Sequence, residues 1–375
     1  MKKGIVLYAY GGKNWIGGIY YIKNIVYMLS GNEAFVQHYN IYIFVEESNA
    51  HIFRDFTEHV KLIIKSSKEI FEKKSFLLGF YIKNNIRYIY PSNGKSLFPT
   101  VKSIAWIPDF QHNYLPEMFQ NEEIEYRNNL YMSIAKSDMA LVLSSQTCKN
   151  DFEKFYLKDK KNVKVVRFVS YIEPEIKQIS DEYEQSILNK YGLLKRKYIY
   201  IANQFWKHKN HIVVLNAIRE FAKKHADEAV KFIFTGQMED YRNPEYIQEI
   251  KDLITLPEIQ SMVDNLGLIE RREQIVIMKN AHFLIQPSLF EGWGTVVEDA
   301  KVLDKKIILS DIEVHREQKN QKCILFNPYD ASELAELIYE EIKKEQIDFV
   351  EDGLEDMCKR AKEYSDEFLK LMKVY

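Results

Sequence analysis

Two rounds of the same alternation run through this chain, and that pattern limits the fold more than any single motif does. Short apolar runs ending in turn residues take turns with segments of helical length. The first round opens with "GIVLYAY" (Gly4 to Tyr10), a glycine-rich loop, and "GIYYIKNIVYMLS" (Gly18 to Ser30). In the latter, Ile22, Ile25, Val26 and Leu29 share one helical face. "YNIYIFVEE", "RYIYP", "SIAWIPD", "MALVLSS" and "VKVVRFV" follow as strand candidates. The second round begins at "KYIYIAN" near Lys197 and continues through the helix "HIVVLNAIREFAKKH" and the strand "VKFIFTG". Next come the helix "RREQIVIMKNA", the strand "HFLIQPS", the helix "TVVEDAKVL", and the strands "KKIILSD" and "ILFNP". Strands alternating with helices imply an α/β chain with parallel sheets covered on both faces. A chain of 375 residues exceeds one ordinary core, so the repeat predicts two doubly wound, Rossmann-like domains.

Residues 1–170 would form the first domain and 171–354 the second. The polar stretch Tyr171 to Glu184, interrupted by Pro174, is the expected crossover. A long charged helix from about Ser332 to Tyr375, broken near Asp352–Gly353, closes the chain. Its last part, 355–375, is expected to pack back on the first domain. Two such domains facing a cleft would bind ligands beyond the carboxyl ends of their strands.

Bulk properties exclude several classes. Apolar residues at 46% and charged residues at 28% are a globular composition. No apolar run is long enough to span a bilayer. "MKKGIVLYAY" starts like a signal peptide, but the run is short and lacks a small-residue cleavage site, so a first buried strand is the better reading. A cytoplasmic protein is expected. Cys148, Cys323 and Cys358 are isolated, with neither a disulfide framework nor metal-ligand spacing. The net charge of -2 divides unevenly: residues 1–170 hold 23 Lys and Arg against 16 Asp and Glu, and the remainder is acidic. That basic half suits peripheral contact with an anionic membrane at its inner face, or a pyrophosphate-bearing acceptor, and equally suits two unequally solvated domains. "KDKKNVKVVR" (Lys158 to Arg167) is its one dense cluster.

Four loops combine the residues needed for chemistry. In "YGGKNWIGG", Gly11, Gly12, Gly17 and Gly18 lie between a strand and a helix, where backbone N–H groups can approach an anion, or where glycines merely relax a connection. The spacing is not G-x-G-x-x-G, which argues against a nicotinamide oxidoreductase. In "WIPDFQHNYLPEMF", Asp109 and His112 follow a strand within one turn; either they meet a ligand or they cap a loop. In "ANQFWKHKNH", Lys207 and Lys209 precede a helix starting near Asn210, which is a diphosphate site or a solvated basic loop. In "SLFEGWGTVVEDA", Thr295 and Glu298 have capping-box spacing. Capping leaves Glu291, and two glycines beside Trp293, unexplained. A carboxylate there can accept from vicinal sugar hydroxyls while helix-start N–H groups take a phosphate.

Together these stretches resemble retaining glycosyltransferases of the two-Rossmann-domain GT-B type, in particular the large family 4. That family carries E-x7-E after a "PS.xEG.G" bend, and Glu291 and Glu298 have that spacing. The resemblance covers nearly the whole chain and implies a second domain that binds a nucleotide-diphosphate sugar and a first that binds a glycan or lipid-linked acceptor. It implies that Glu291 and the N–H groups of Gly292, Trp293 and Gly294 hold the donor sugar. Thr295 would open the helix at the donor, Glu298 would take the ribose, and Lys209 would neutralise the diphosphate. Gly12 with Gly17 or Gly18 would lie against donor phosphates or acceptor, and His112 near the reacting carbon, with Asp109 a further candidate. No cofactor, metal or nucleic-acid partner is implied. One departure stands out: many members carry an arginine shortly before that lysine, and here Asn203 and Gln204 occupy the region. Lys207 could replace it, or the diphosphate site is organised differently. The expected activity is hexosyl transfer in surface polysaccharide or glycolipid synthesis. A nucleotide-sugar epimerase or hydrolase, and a non-catalytic sugar-nucleotide-binding scaffold, are the alternatives.

Overall fold

A computed structural model describes residues 2–9, 11, 16–54, 56, 59–66, 73–345 and 352–374. The chain divides into two units. Unit 1 comprises residues 1–110, 121–171 and 357–375; unit 2 comprises 111–120 and 172–356.

Unit 1 is built on a seven-stranded sheet, all of whose pairings are parallel. Its strands are β1 (Lys3–Ala9), β2 (Tyr39–Glu46), β3 (Val60–Lys65), β4 (Ile86–Tyr90), β5 (Lys102–Ile107), β6 (Ala140–Leu143) and β7 (Val163–Val165), in the order β3-β2-β1-β4-β5-β6-β7. Central β1 is flanked in register by Ile41 and Tyr88 at Ile5. Ile5, Val6 and Leu7 are fully buried, which is why an internal parallel strand reads as an unbroken apolar run. The helix Asp352–Val374 ends the chain and joins unit 1 from Met357. The Tyr88 hydroxyl donates to the Met372 carbonyl at 2.6 Å, and the Asn32 amide donates to Ser365 Oγ at 2.7 Å. The closing helix expected from about Ser332, with a break near Asp352–Gly353, is described as two helices, Ala331–Ile342 and Asp352–Val374.

Unit 2 carries a six-stranded parallel sheet: β8 (Tyr198–Ala202), β9 (Lys231–Thr235), β10 (Val263–Asn265), β11 (Phe283–Gln286), β12 (Ile307–Ser310) and β13 (Cys323–Phe326). Their order is β10-β9-β8-β11-β12-β13. One core joins Ile199, Ile201, Phe232 and Phe234 of the sheet to Ile218 and Phe221 of the helix His211–Lys224 and to Leu334 and Ile338 of Ala331–Ile342. Burying each such side chain is worth about 1.5–3 kcal/mol. From β8 the chain works outward through β9 and β10, then returns to place β11 on β8's other side. The switch point, where such sheets open a crevice for ligands, therefore lies between β8 and β11.

The doubly wound α/β reading holds for both sheets. β3 and β10, each at one of the two edges of its sheet, were not anticipated. β3 has no buried residue and exposes Lys61 and Ile64, and β10 has only three residues. Edge strands bury one face or less, so they lack the continuous apolar signature of central strands.

Candidate active site

Lys209 follows β8 and Glu291 follows β11, one on each side of the switch point. The β8 loop ends in a 3-10 turn, Lys207–Lys209, and reaches the helix His211–Lys224 through Asn210 in the left-handed conformation (φ 55°, ψ 42°). Asparagine tolerates that geometry better than most residues. Here the Asn210 amide also donates to the carbonyls of Pro287 (3.2 Å) and Pro328 (2.8 Å). The Leu289 N–H donates to the His208 carbonyl at 2.8 Å. The two loops are thus fastened by backbone before their side chains meet.

Those side chains meet as an ion pair. Lys209 Nζ lies 2.5 Å from Glu291 Oε1, with the side chains 18% and 10% exposed. The same oxygen accepts from Ser288 Oγ (2.7 Å) and Gln286 Nε2 (2.9 Å). Gln286 is steadied by Asn203, whose Nδ2 donates to Gln286 Oε1 at 2.9 Å. Ser288 is fixed from below, since Ser310 Oγ donates to its carbonyl and also meets His315 Nδ1 at 3.1 Å. Burial disfavours the charged Glu291, but the Lys209 ammonium, first as a charge and then as a hydrogen-bond donor, outweighs it and brings its pKa down to about 2. Burial, and then the Lys209 charge, push His208 well below its ordinary value and His211 down to about 3. Burial lowers His315 as well. At neutral pH the site therefore holds an ionised carboxylate ringed by uncharged imidazoles.

The bend after Glu291 differs from the capping-box expectation. The N-cap of the helix Thr295–Val302 is Gly294, with no side-chain cap, and Thr295 is the first helical residue. Glu298 is fully buried, and its Oε1 accepts from Gln318 Nε2 (2.8 Å) and Lys301 Nζ (3.0 Å). Gln318 also brackets Gly294, accepting from its N–H at 3.1 Å and donating to its carbonyl at 2.8 Å. Nor does Gly294 adopt a glycine-only conformation, its φ being -81°. The constraint is space, because a Cβ there would lie 3.1 Å from Val297 Cγ2 and 3.3 Å from Gln318 Oε1. Trp293 is buried, with the Lys301 ammonium 5.6 Å from its ring centroid.

The other sequence candidates are distributed. Lys207 turns away from Glu291: its ammonium is 3.8 Å from Glu245, and its N–H donates to Asp240 Oδ2 at 2.9 Å. His112 is buried in the short helix Gln111–Tyr114, within the segment that joins unit 2, and its ring faces Phe119. Asp109 belongs to unit 1, where Arg127 Nη1 is 3.3 Å from its Oδ1. Gly17 and Gly18 lie in the first turn of the helix Ile16–Ser30 of unit 1, and Gly12 falls outside the described residues. Sequence reasoning passed over Gln286, Ser288, Gln318 and Arg242. The first two stand in the quoted "HFLIQPS" motif, and their polarity at the end of an apolar strand was the available signal. Gln318 becomes visible only once the fold brings its helix to the bend, and Arg242 only once its loop meets Trp206 of the Lys209 loop.

Among the described residues, no group of three or more His, Cys, Asp or Glu side chains is arranged for a metal ion, and no helix is long and apolar enough to cross a membrane.

Residues 184–367 match the family model described as glycosyl transferases group 1. The chain is 23% identical over 228 residues to the O-antigen chain mannosyltransferase RfbU of Salmonella typhimurium, an alignment spanning 60% of this chain and only 56% of that protein. A solved glycosyltransferase from Rickettsia africae matches with a TM-score of 0.66 at 16% identity, over 99% of this chain and 96% of that one. Anabaena HepE, in complex with UDP and glucose, matches with a TM-score of 0.65 at 13% identity, over 99% and 95%. The fold is that of the GT-B glycosyltransferases. The match to the glycosyl transferases group 1 model spans just under half of the chain.

Proposed function

We propose that this protein is a retaining glycosyltransferase that moves a hexosyl group from a nucleotide-diphosphate sugar to a glycan or lipid-linked acceptor in surface polysaccharide or glycolipid synthesis. The observation that carries the reading is the Lys209–Glu291 pair at the β8/β11 switch point. A donor offers a partner to each member. Its diphosphate takes Lys209, and its sugar hydroxyls take Glu291, whose low pKa keeps it an acceptor at any physiological pH. As the bond from the anomeric carbon to the diphosphate breaks, negative charge grows on the leaving oxygen, where Lys209 and the N–H groups opening the helix Thr295–Val302 stabilise it. The acceptor hydroxyl adds to the same face, and its proton leaves with the nucleoside diphosphate.

Gly292 and Trp293 would line the donor through backbone N–H groups, whereas that of Gly294 is given to Gln318, and His112 would contact the sugar near the reacting carbon. For Glu298 to take the ribose, a nucleoside must compete with Gln318 and Lys301 for its carboxylate. Unit 1 would take the acceptor, with Gly17 or Gly18 toward it, and peripheral contact with an anionic membrane fits its basic composition. No step needs a cofactor or a metal. The names of the relatives, a mannosyltransferase of O-antigen chains and a protein bound to UDP and glucose, support this substrate class.

The test is a turnover screen with UDP-, GDP- and ADP-sugars, following the anomeric configuration of the product by NMR. Acceptor-dependent transfer with retention is expected. Fast nucleotide release without acceptor would favour an epimerase or hydrolase, and nucleotide binding without turnover a scaffold.

A further inference from the structure

The decapeptide Gln111–Gln120 interrupts unit 1 in sequence, lying between β5 and the helix Asn121–Lys136, yet it groups with unit 2. Two aromatic contacts hold it there. The Tyr114 ring meets Phe290, the neighbour of Glu291, at 5.4 Å. At the other end, the Arg242 guanidinium lies 4.5 Å from the centroid of Phe119 and 4.5 Å from that of Trp206, so one cation serves both rings. Tyr241 adds an edge to Trp206 at 5.7 Å. Arg242 is itself set by a rigid turn. Buried Asp240 accepts from the N–H groups of Lys207 (2.9 Å), Arg242 (3.0 Å) and Asn243 (3.2 Å), and its Oδ1 lies 3.9 Å from Arg242 Nε. Arginine suits such a place because its planar guanidinium stacks on aromatic faces, which a lysine ammonium does not.

We propose that Arg242 is a positioning residue: stacked with Phe119 and Trp206, it fastens the decapeptide that carries His112 to the loops holding Lys209 and Glu291. Through this clamp His112 is a fixed part of unit 2, although the chain reaches it from unit 1 and returns there. What His112 then does to a donor rests on the glycosyltransferase reading; the docking does not.

The experiment uses the full chain with Arg242→Ala, Arg242→Lys, Phe119→Leu and the double variant Arg242→Ala/Phe119→Leu. Hydrogen–deuterium exchange of peptides covering 111–120 reads the docking directly. Arg242→Ala and Phe119→Leu should each speed exchange there about tenfold or more, and the double variant should add little, since both remove one contact. Arg242→Lys should fall between Arg242→Ala and the parent. Titrations with UDP, GDP and ADP should leave the dissociation constant of the binding nucleotide within about twofold of the parent. With a donor that turns over, kcat should fall about 10- to 100-fold with little change in donor KM. Unchanged exchange in Arg242→Ala, or fully additive effects, would overturn the clamp. A tenfold loss of nucleotide affinity in Arg242→Ala but not in Phe119→Leu would overturn it too, making Arg242 a direct ligand contact. If no donor turns over, the glycosyltransferase reading fails, while the exchange data still decide the clamp.

Discussion

Lys209→Ala should destabilise unit 2 by removing the charge that keeps Glu291 ionised. The Lys209 ammonium holds the Glu291 carboxyl well below the ordinary carboxylate range, at about 2. A shift of that size corresponds to about 3 kcal/mol of favourable interaction with the charged form. Because the side chain is 10% exposed, solvent does little to screen the loss. Breaking a buried pair by deleting one partner costs about 3–5 kcal/mol in other proteins, which agrees. In a unit of this size that means a midpoint roughly 10 °C lower. Glu291→Gln should cost less, because the amide can still accept from Ser288 and Lys209 keeps some access to water. The double variant Lys209→Ala/Glu291→Gln should recover stability relative to the sum of the singles, by about 2 kcal/mol.

The pH dependence has a definite sign. A carboxylate whose pKa is lowered by folding contributes its stability above the unfolded value and loses it as pH falls through the folded value. The parent should therefore lose about 3 kcal/mol between about pH 5 and pH 2 from this residue, and Glu291→Gln should lack that component. Urea denaturation of the four proteins at pH 7 and pH 3 measures both effects. Additive single and double variants, or an unchanged pH slope in Glu291→Gln, would refute the claim that the two charges hold each other.

Three further expectations follow from single contacts. Gln318→Ala removes the group that joins both backbone faces of Gly294 to Glu298; it should cost about 2 kcal/mol in urea denaturation and raise donor KM more than it lowers kcat. Gly236→Ala should cost at least about 3 kcal/mol, because the residue has φ 131° and a Cβ would fall 2.1 Å from the Asn203 carbonyl oxygen; a variant that melts with the parent would mean that this approach is not made. Tyr88→Phe deletes the hydroxyl that donates to the Met372 carbonyl, so exchange at the end of the closing helix should rise, with a loss of about 1 kcal/mol.

The architecture was legible because burial on both faces writes itself into sequence. β1, β8 and β11 are runs that only a covered parallel strand needs, and β3 and β10 escaped because an edge has no such need. The pair at the centre of the site was half legible. Lys209 and Glu291 each stood in a marked loop, but their mutual contact depends on β8 and β11 being neighbours, which no local pattern states. Glu298 shows the opposite failure. Its spacing from Thr295 matched a capping box, yet Gln318, from the helix Glu313–Gln318, arrives to take both Gly294 and the carboxylate. A tertiary partner displaced a local one, and sequence spacing carries no information about such partners.

The ion pair also bears on how the site would tell donor from product. A nucleoside diphosphate offers phosphate oxygens to Lys209 but no hydroxyls at the position of the lost sugar. Taking Lys209 from Glu291 would then leave a carboxylate, at 10% exposure, with only Ser288 and Gln286 for partners. An intact donor meets both groups at once, so it alone replaces everything the pair gives up. Leaving one buried charge short of a partner costs more than a neutral hydrogen bond returns. On the proposed reading, the Lys209–Glu291 contact thus weakens product more than substrate, and release after transfer restores the pair.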